Sequence, residues 1–193
     1  DKNGNHVIQK LIENLSEEKL YEVFIVAMNN ITNLSKHQYG CRVIQKLFKY
    51  CNDIQISNML NEIFKNLNEL IQDQYGNYVM QFILENKKIN RDLLNPIYES
   101  LQGHIYEYSI HKFASNVVER ALTFGKKEMQ QNIINEIVQL QEKNSDYIIT
   151  MVKDKFGNYV IQKLIEHSDP VSQQKLIQAI LDKQNLIKND GFS

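Results

Sequence analysis

An eight-residue pattern returns five times along this chain, and no isolated globular core accounts for such regularity. The copies are Asn3-Gly4-Asn5-His6-Val7-Ile8-Gln9-Lys10, Tyr39-Gly40-Cys41-Arg42-Val43-Ile44-Gln45-Lys46, Tyr75-Gly76-Asn77-Tyr78-Val79-Met80-Gln81-Phe82, Phe113-Ala114-Ser115-Asn116-Val117-Val118-Glu119-Arg120 and Phe156-Gly157-Asn158-Tyr159-Val160-Ile161-Gln162-Lys163. The lead residues 5, 41, 77, 115 and 158 stand 36, 36, 38 and 43 positions apart. Self-similarity at this period marks a repeat architecture, in which each unit buries its apolar face only against its neighbours.

Each copy reads as three helices. A short first helix carries apolar residues three apart: Ile31 and Leu34, Leu67 and Leu70, Ile105 and Tyr108, Ile148 and Met151. The second helix holds the motif. Asp73 and Asp154 stand four residues before the lead position and can cap it; Asp1 aligns with them, and His37 and His111 take the same place in the other two copies. Third helices are expected over Glu17–Met28, Ile56–Leu67, Arg91–Leu101, Lys127–Leu140 and Pro170–Leu181. The Asp169-Pro170 step suits a helix start, and Pro96 should begin or kink its helix. Stacking such units gives an all-α, curved α-solenoid. The first copy lacks its first helix, so the chain is expected to start partway along a longer array. We expect a single repeat domain over residues 1–193, divided near 1–30 (partial), 31–66, 67–104, 105–147 and 148–182, with a tail over 183–193.

With the lead residue as position one and about 100° of turn per residue, positions one and five share a face and position two lies beside them. Positions three, four and seven point elsewhere. They are Val in all five copies, then Ile, Met or Val, then Leu, Ile or Ala, and form the expected core. The expected exposed sets are Asn5/His6/Gln9, Cys41/Arg42/Gln45, Asn77/Tyr78/Gln81, Ser115/Asn116/Glu119 and Asn158/Tyr159/Gln162. One Asn or Gln on a helix surface is usually only solvated; five aligned copies reverse that reading. Positions one and five offer hydrogen-bonding groups for the edge of a planar base, and the mostly flat group at position two can stack on its face. His6, Arg42, Tyr78 and Tyr159 are the stackers, while Asn116 mainly supports its neighbours. Position six, Lys10, Lys46, Phe82, Arg120 and Lys163, is basic in four copies of five and borders this face, where it can meet phosphates.

Composition narrows the alternatives. Lys+Arg number 22 against 23 Asp+Glu, a near balance. A general phosphate binder shows a basic excess, so nucleic-acid binding here must come from local placement and base contacts. The two cysteines, Cys41 and Cys51, make no metal-ligand pattern and favour a reduced intracellular setting. Neither they nor His37, His104, His111 and His167 give metal spacing, and no cofactor motif or catalytic constellation is legible, so the chain is not expected to be an enzyme. No apolar run reaches the roughly 18 residues that span a bilayer.

At these residues the sequence resembles the Pumilio (PUF) family of RNA-binding proteins over nearly the whole chain, in the order of that family's last five repeats. The Lys112-Phe113-Ala114 lead with Ser115/Asn116/Glu119 is especially specific. Asn3 departs from the usual aromatic lead, and the tail from Lys183 to Ser193 is short for the family's terminal cap. The resemblance implies a right-handed solenoid of three-helix repeats and a base code. Asn with Gln suits uracil. Glu119, acceptor-only when ionised, suits the two adjacent donors of guanine. Cys41 with Gln45 suits adenine. RNA running antiparallel to the protein then reads 5′-UGUAU, from Asn158/Gln162 through Ser115/Glu119, Asn77/Gln81 and Cys41/Gln45 to Asn5/Gln9. It further implies a monomeric, cytoplasmic regulator of mRNA 3′ untranslated regions that recruits co-repressors such as a deadenylase complex. The insertion around Gln141 to Tyr147 and the outer third helices are candidate protein contacts. Two rival readings are a nucleolar ribosomal-RNA processing factor, whose base-reading sets are typically degraded, and a protein-scaffolding solenoid, which would not favour polar groups at positions one and five.

Overall fold

The computed structural model describes residues 1–143 and 146–183. The middle of the expected insertion and the tail from residue 184 lie outside them. The described residues are helical, without a strand. In chain order the first copy has α1 (Gly4–Asn14) and α2 (Glu17–Met28), and the second has α3 (Ile31–Ser35), α4 (Gly40–Tyr50) and α5 (Asp53–Phe64). The third has α6 (Leu67–Gln72), α7 (Gly76–Glu85) and a 3-10 turn (Arg91–Leu94) that runs into α8 (Asn95–Leu101). The fourth has α9 (Ile105–Ser109), α10 (Ala114–Phe124) and α11 (Lys127–Lys143); the fifth has α12 (Tyr147–Lys153), α13 (Gly157–His167) and α14 (Pro170–Asp182).

The chain divides into two compact units, Asp1–Ile97 and Tyr98 onward. In the first, the motif helix α4 packs on α1 and on α7. In the second, α10 packs on α13 and α11 on α14. Most of the expected core positions hold beyond the first copy: Ile44, Leu47, Val79, Met80 and Ile83 in one unit, and Val117, Val118, Ala121, Val160, Ile161 and Leu164 in the other, are buried, while Val43 is half-buried. Each fully buried side chain of this size contributes roughly 1.5–3 kcal/mol. Position eight, which the periodicity left out, is equally buried at Ile12, Phe48, Leu84 and Leu122.

The first copy departs from the expectation. Val7, Ile8 and Leu11 are exposed, at 59%, 39% and 46%, because α1 packs on α4 alone among the motif helices. Two third helices also differ. The second starts at Asp53, not Ile56, because Asn52 and Gln55 form a capping box with bonds of 2.9 and 3.0 Å. The third opens as a 3-10 turn, and Pro96 sits at the start of α8, where its missing N–H costs nothing. Asp169 caps α14 through Val171 N and Ser172 N. These bonds and that from the Ser172 hydroxyl hold its carboxyl down to about 2.

The turn before each motif helix is tied as the sequence suggested. Asp73 Oδ1 accepts from Tyr75 N and Gly76 N at 2.8 and 2.7 Å, and Asp154 and Asp1 do the same in their copies. His37 and His111 substitute for the carboxylate: each Nδ1 accepts two backbone N–H groups, at 3.1 Å for His37 and 3.2 Å for His111. The glycine that follows is a matter of space. A Cβ on Gly76 would sit 2.8 Å from the Leu70 carbonyl oxygen, so α6 and α7 meet this closely only without a side chain there.

Candidate nucleic-acid interface

The first unit positions three of the five sets. Asn77 follows the Asp73 turn directly, so the turn's carbonyls lie over its amide. Its Nδ2 donates to Asp73 O at 2.9 Å and Gln74 O at 3.1 Å, while its Oδ1 accepts from Gln81 Nε2 at 2.8 Å. Asn5 repeats this, donating to Lys2 O at 2.6 Å and accepting from Gln9 Nε2 at 2.8 Å. The Gln carboxamide one turn along is thereby fixed, with an acceptor oxygen beside a donor nitrogen. That is the complement of uracil's N3–H and its neighbouring carbonyl.

Position one is therefore not the exposed position that helical periodicity assigned to it. Asn77 is 1% exposed, and Asn5, Cys41 and Ser115 are also buried; Asn158 is half-buried. The preceding turn covers this residue, whereas Gln9, Gln45, Gln81 and Glu119 at position five are half-exposed and Gln162 is exposed.

Cys41 changes the local wiring. Burial pushes its thiol up, so it stays neutral, and its Sγ lies 3.6 Å from Gln38 O. Without a lead amide to hold it, Gln45 donates Nε2 to Tyr78 O of the next copy at 3.0 Å and accepts from Arg42 Nη1 at 3.3 Å. The Arg42 guanidinium lies over the Tyr78 ring, 5.2 Å from its centroid. The position-two groups of the second and third copies thus meet, and His6 of the first is exposed. Cys51 ends α4, buried, its thiol pushed up to about 11 by desolvation, and has no part in this face.

In the second unit, Asn158 Nδ2 donates to Asp154 O at 2.9 Å and its Oδ1 lies 3.4 Å from Gln162 Nε2, with Tyr159 beside them 57% exposed. Ser115 is shorter than Asn and leaves more room beside Glu119. Burial raises the Glu119 carboxyl above its ordinary value, opposed by the nearby charges of Arg120 and Lys163. Asn116 turns its Nδ2 back to Phe113 O at 3.2 Å, which suits support rather than stacking.

The position-six cations already have partners inside the fold. Lys10 and Lys46 both pair with Glu13, at 2.9 and 2.5 Å, and hold its carboxyl down to about 2. Lys163 pairs with Glu166 at 2.6 Å, and the Arg120 guanidinium lies 6.0 Å from the Phe124 ring centroid. Two cations were passed over in the sequence reading. Lys112 and Lys155 are exposed, three residues before their leads, over the Phe113 and Phe156 rings at 5.1 and 4.8 Å. Their signal was the shared Lys-aromatic step. Among the described residues no group of three or more His, Cys, Asp or Glu is placed to hold a metal ion, and no helix is long and apolar enough to cross a membrane.

Residues 1–24, 30–64, 66–86, 104–138 and 147–181 match the model of the Pumilio-family RNA binding repeat, one match for each copy. The mRNA-binding protein PUF3 of Saccharomyces cerevisiae is 41% identical over 103 residues, covering 49% of this chain and 12% of that protein. Pumilio homology domain family member 4 of the same yeast is 32% identical over 170 residues, 87% of this chain and 19% of that protein. Among solved structures, the Puf3 RNA binding domain bound to the Cox17 RNA 3′ UTR recognition sequence site B aligns with a TM-score of 0.88 at 38% identity, over 100% of this chain and 57% of that one. The Puf4 RNA binding domain bound to the HO endonuclease RNA 3′ UTR recognition sequence aligns with a TM-score of 0.84 at 28% identity, over 94% of this chain and 57% of that one. The chain thus spans under a fifth of these two curated relatives and somewhat over half of the solved domains.

Proposed function

Because this chain belongs to the Pumilio family of RNA-binding repeats, we propose that it binds single-stranded RNA of defined sequence, one base per copy. The observation that carries this reading is a division among the five sets. In the three Asn/Gln copies the lead amide accepts from the Gln one turn on. In the two others that bond is absent from the set, and a small Cys or Ser leaves room for a purine.

The resulting assignments are uracil for Asn5/Gln9, Asn77/Gln81 and Asn158/Gln162, adenine for Cys41/Gln45 and guanine for Ser115/Glu119. In the family's antiparallel order these spell 5′-UGUAU. Tyr78, Tyr159, Arg42 and His6 stack on base faces. The cellular role that fits is a monomeric cytoplasmic regulator that binds mRNA 3′ untranslated regions and lowers translation or stability through recruited co-repressors, a deadenylase complex among them. Intact base-reading sets favour this over ribosomal-RNA processing and over protein scaffolding.

The test is equilibrium competition by fluorescence anisotropy, with a labelled RNA containing 5′-UGUAU against single-base replacements. Each replacement at a read position should weaken binding by on the order of 1–3 kcal/mol, by analogy with mismatches in specific DNA sites. Equal affinity for the replaced and scrambled RNAs would refute the reading.

A further inference from the structure

A base seated against one reading set leaves its phosphates at one of two rims: the capping turn before the motif helix, or the side where position six lies. In the second unit the cations of these two rims differ in what they already touch. At position six, Lys163 is paired with Glu166 at 2.6 Å, and the Arg120 guanidinium lies by the Phe124 ring. At the turn, Lys112 and Lys155 are exposed, and among the described residues neither is paired with a carboxylate.

The two lysines are equivalent in position and in surroundings. Each stands three residues before its lead residue, Ser115 or Asn158, and directly before a phenylalanine. Each ammonium lies over that ring, 5.1 Å from the Phe113 centroid and 4.8 Å from that of Phe156. A ring face restrains a cation without neutralising it, and a restrained group loses less freedom when a ligand arrives. The turn itself is fixed. His111 Nδ1 accepts from Phe113 N and Ala114 N, and Asp154 Oδ1 accepts from Phe156 N and Gly157 N. It also reaches the reading set, because Asp154 O accepts from Asn158 Nδ2 at 2.9 Å. The rim that carries the free cations is thus continuous with the first residue of the set.

We propose that Lys112 and Lys155 hold the phosphates beside the two bases at the 5′ end of the RNA, the U and G read by the fifth and fourth copies. This rests on the base assignments of those two sets. An ammonium on a flexible stem meets a phosphate as a point charge, so these lysines add affinity without reading sequence. The grip is local. In the second and third copies the same place is held by the neutral Gln38 and Gln74, and in the first Lys2 precedes Asn3, which offers no ring. The 5′ U-G step is therefore held by bases and backbone together, and the A of the second copy by its base alone.

The test uses the whole chain and anisotropy, with RNAs containing 5′-UGUAU in which one phosphate at a time is replaced by a neutral methylphosphonate. A neutral linkage beside the 5′ U or G should weaken binding on the order of fivefold, the upper range for one exposed charge pair. One on either side of the A should have little effect. Lys112→Gln with Lys155→Gln should weaken the unmodified RNA and remove the penalty at the 5′ linkages. It should also lower the slope of log affinity against log salt by about 0.7 for each lysine. The preference for G over U at the second base should stay, which separates the backbone contact from base reading. Both lysines are exposed, so the variant keeps the fold. Gln38→Lys, beside Tyr39, gives a readout in the other direction and should create a penalty beside the A. Penalties equal at every linkage, or a 5′ penalty and salt slope that survive the double substitution, would overturn the proposal. Loss of the G preference in that variant would overturn it too, by making the lysines part of base reading. A wild type without any G preference would fail at the base assignments themselves, and the proposal would fall with them.

Discussion

Gln81 donates its Nε2 to Asn77 Oδ1 at 2.8 Å, one turn back along α7. Asn77 in turn gives both amide hydrogens to the carbonyls of Asp73 and Gln74. A chain of bonds thus runs from the helix-capping turn to the carboxamide assigned to the base edge. It fixes which of Gln81's two polar atoms lies where before any ligand arrives, and a group ordered in advance loses less entropy on binding.

Stacking and folding should separate cleanly within the first unit. Tyr78 is 44% exposed, so Tyr78→Ala should change stability by within about 0.5 kcal/mol while costing RNA affinity about 1–3 kcal/mol. Leu47 is fully buried in the same unit, and Leu47→Ala should cost the fold about 2–5 kcal/mol. Urea denaturation and anisotropy on the two variants check both halves.

Salt dependence should be shallow in the wild type, because Lys10 and Lys46 are both engaged by Glu13. Glu13→Gln removes the shared carboxylate. The slope of log affinity against log salt should then steepen by about 0.7 for each lysine that reaches a phosphate. A slope that is already steep, or unmoved by the substitution, would show that these ion pairs do not hold the lysines from RNA.

Guanine recognition should depend on pH. Ionised Glu119 accepts from both guanine donors; protonated, it presents a donor of its own and loses one of them. Burial raises its carboxyl, so selectivity for G over U at that position should fall on acidification sooner than an ordinary glutamate would allow. The sign for stability is opposite. A folded-state pKa above the unfolded one favours the protonated form, a contribution present at low pH and lost as pH rises through the folded value. Glu119→Gln should therefore raise the neutral-pH melting temperature, with the gain vanishing in acid.

The capping turns give a fourth expectation. Asp73→Ala leaves Tyr75 N and Gly76 N without their acceptor and should cost about 1 kcal/mol. At His37 and His111 Nδ1 accepts the same pair of backbone N–H groups, so replacing either with Ala should cost a similar amount, about 1 kcal/mol. Urea denaturation of the three variants checks this, and an unchanged stability would mean that these caps contribute nothing.

Much of this was legible in the sequence because the repeat multiplies weak signals. One Asp before a helix says little; Asp1, Asp73 and Asp154 in register, with His37 and His111 between them, specify a capping turn. The inner core followed from positions three, four and seven for the same reason. Burial of position one was not legible. A helical wheel sets Asn77 beside Gln81, but it cannot show the Asp73 turn folding its carbonyls over the first of the two. The start of α5 was missed although Asn52 and Gln55 spell a capping box, because the apolar period begins only at Ile56. The partner of Lys46 was not legible because Glu13 reaches it across copies, a contact without a fixed sequence spacing, whereas Lys10–Glu13 and Lys163–Glu166 are i,i+3 pairs that the sequence does spell.

The most direct test of the account is a transplant of one reading set into another. Ser115→Asn with Glu119→Gln gives the fourth copy the Asn/Gln pair of its neighbours. Anisotropy on RNAs differing only in the second base of 5′-UGUAU should show the preference moving from G to U, with each mismatch costing about 1–3 kcal/mol. A folded double variant that still prefers G, or that binds both bases as the wild type does, would contradict the assignment of these side chains to the base.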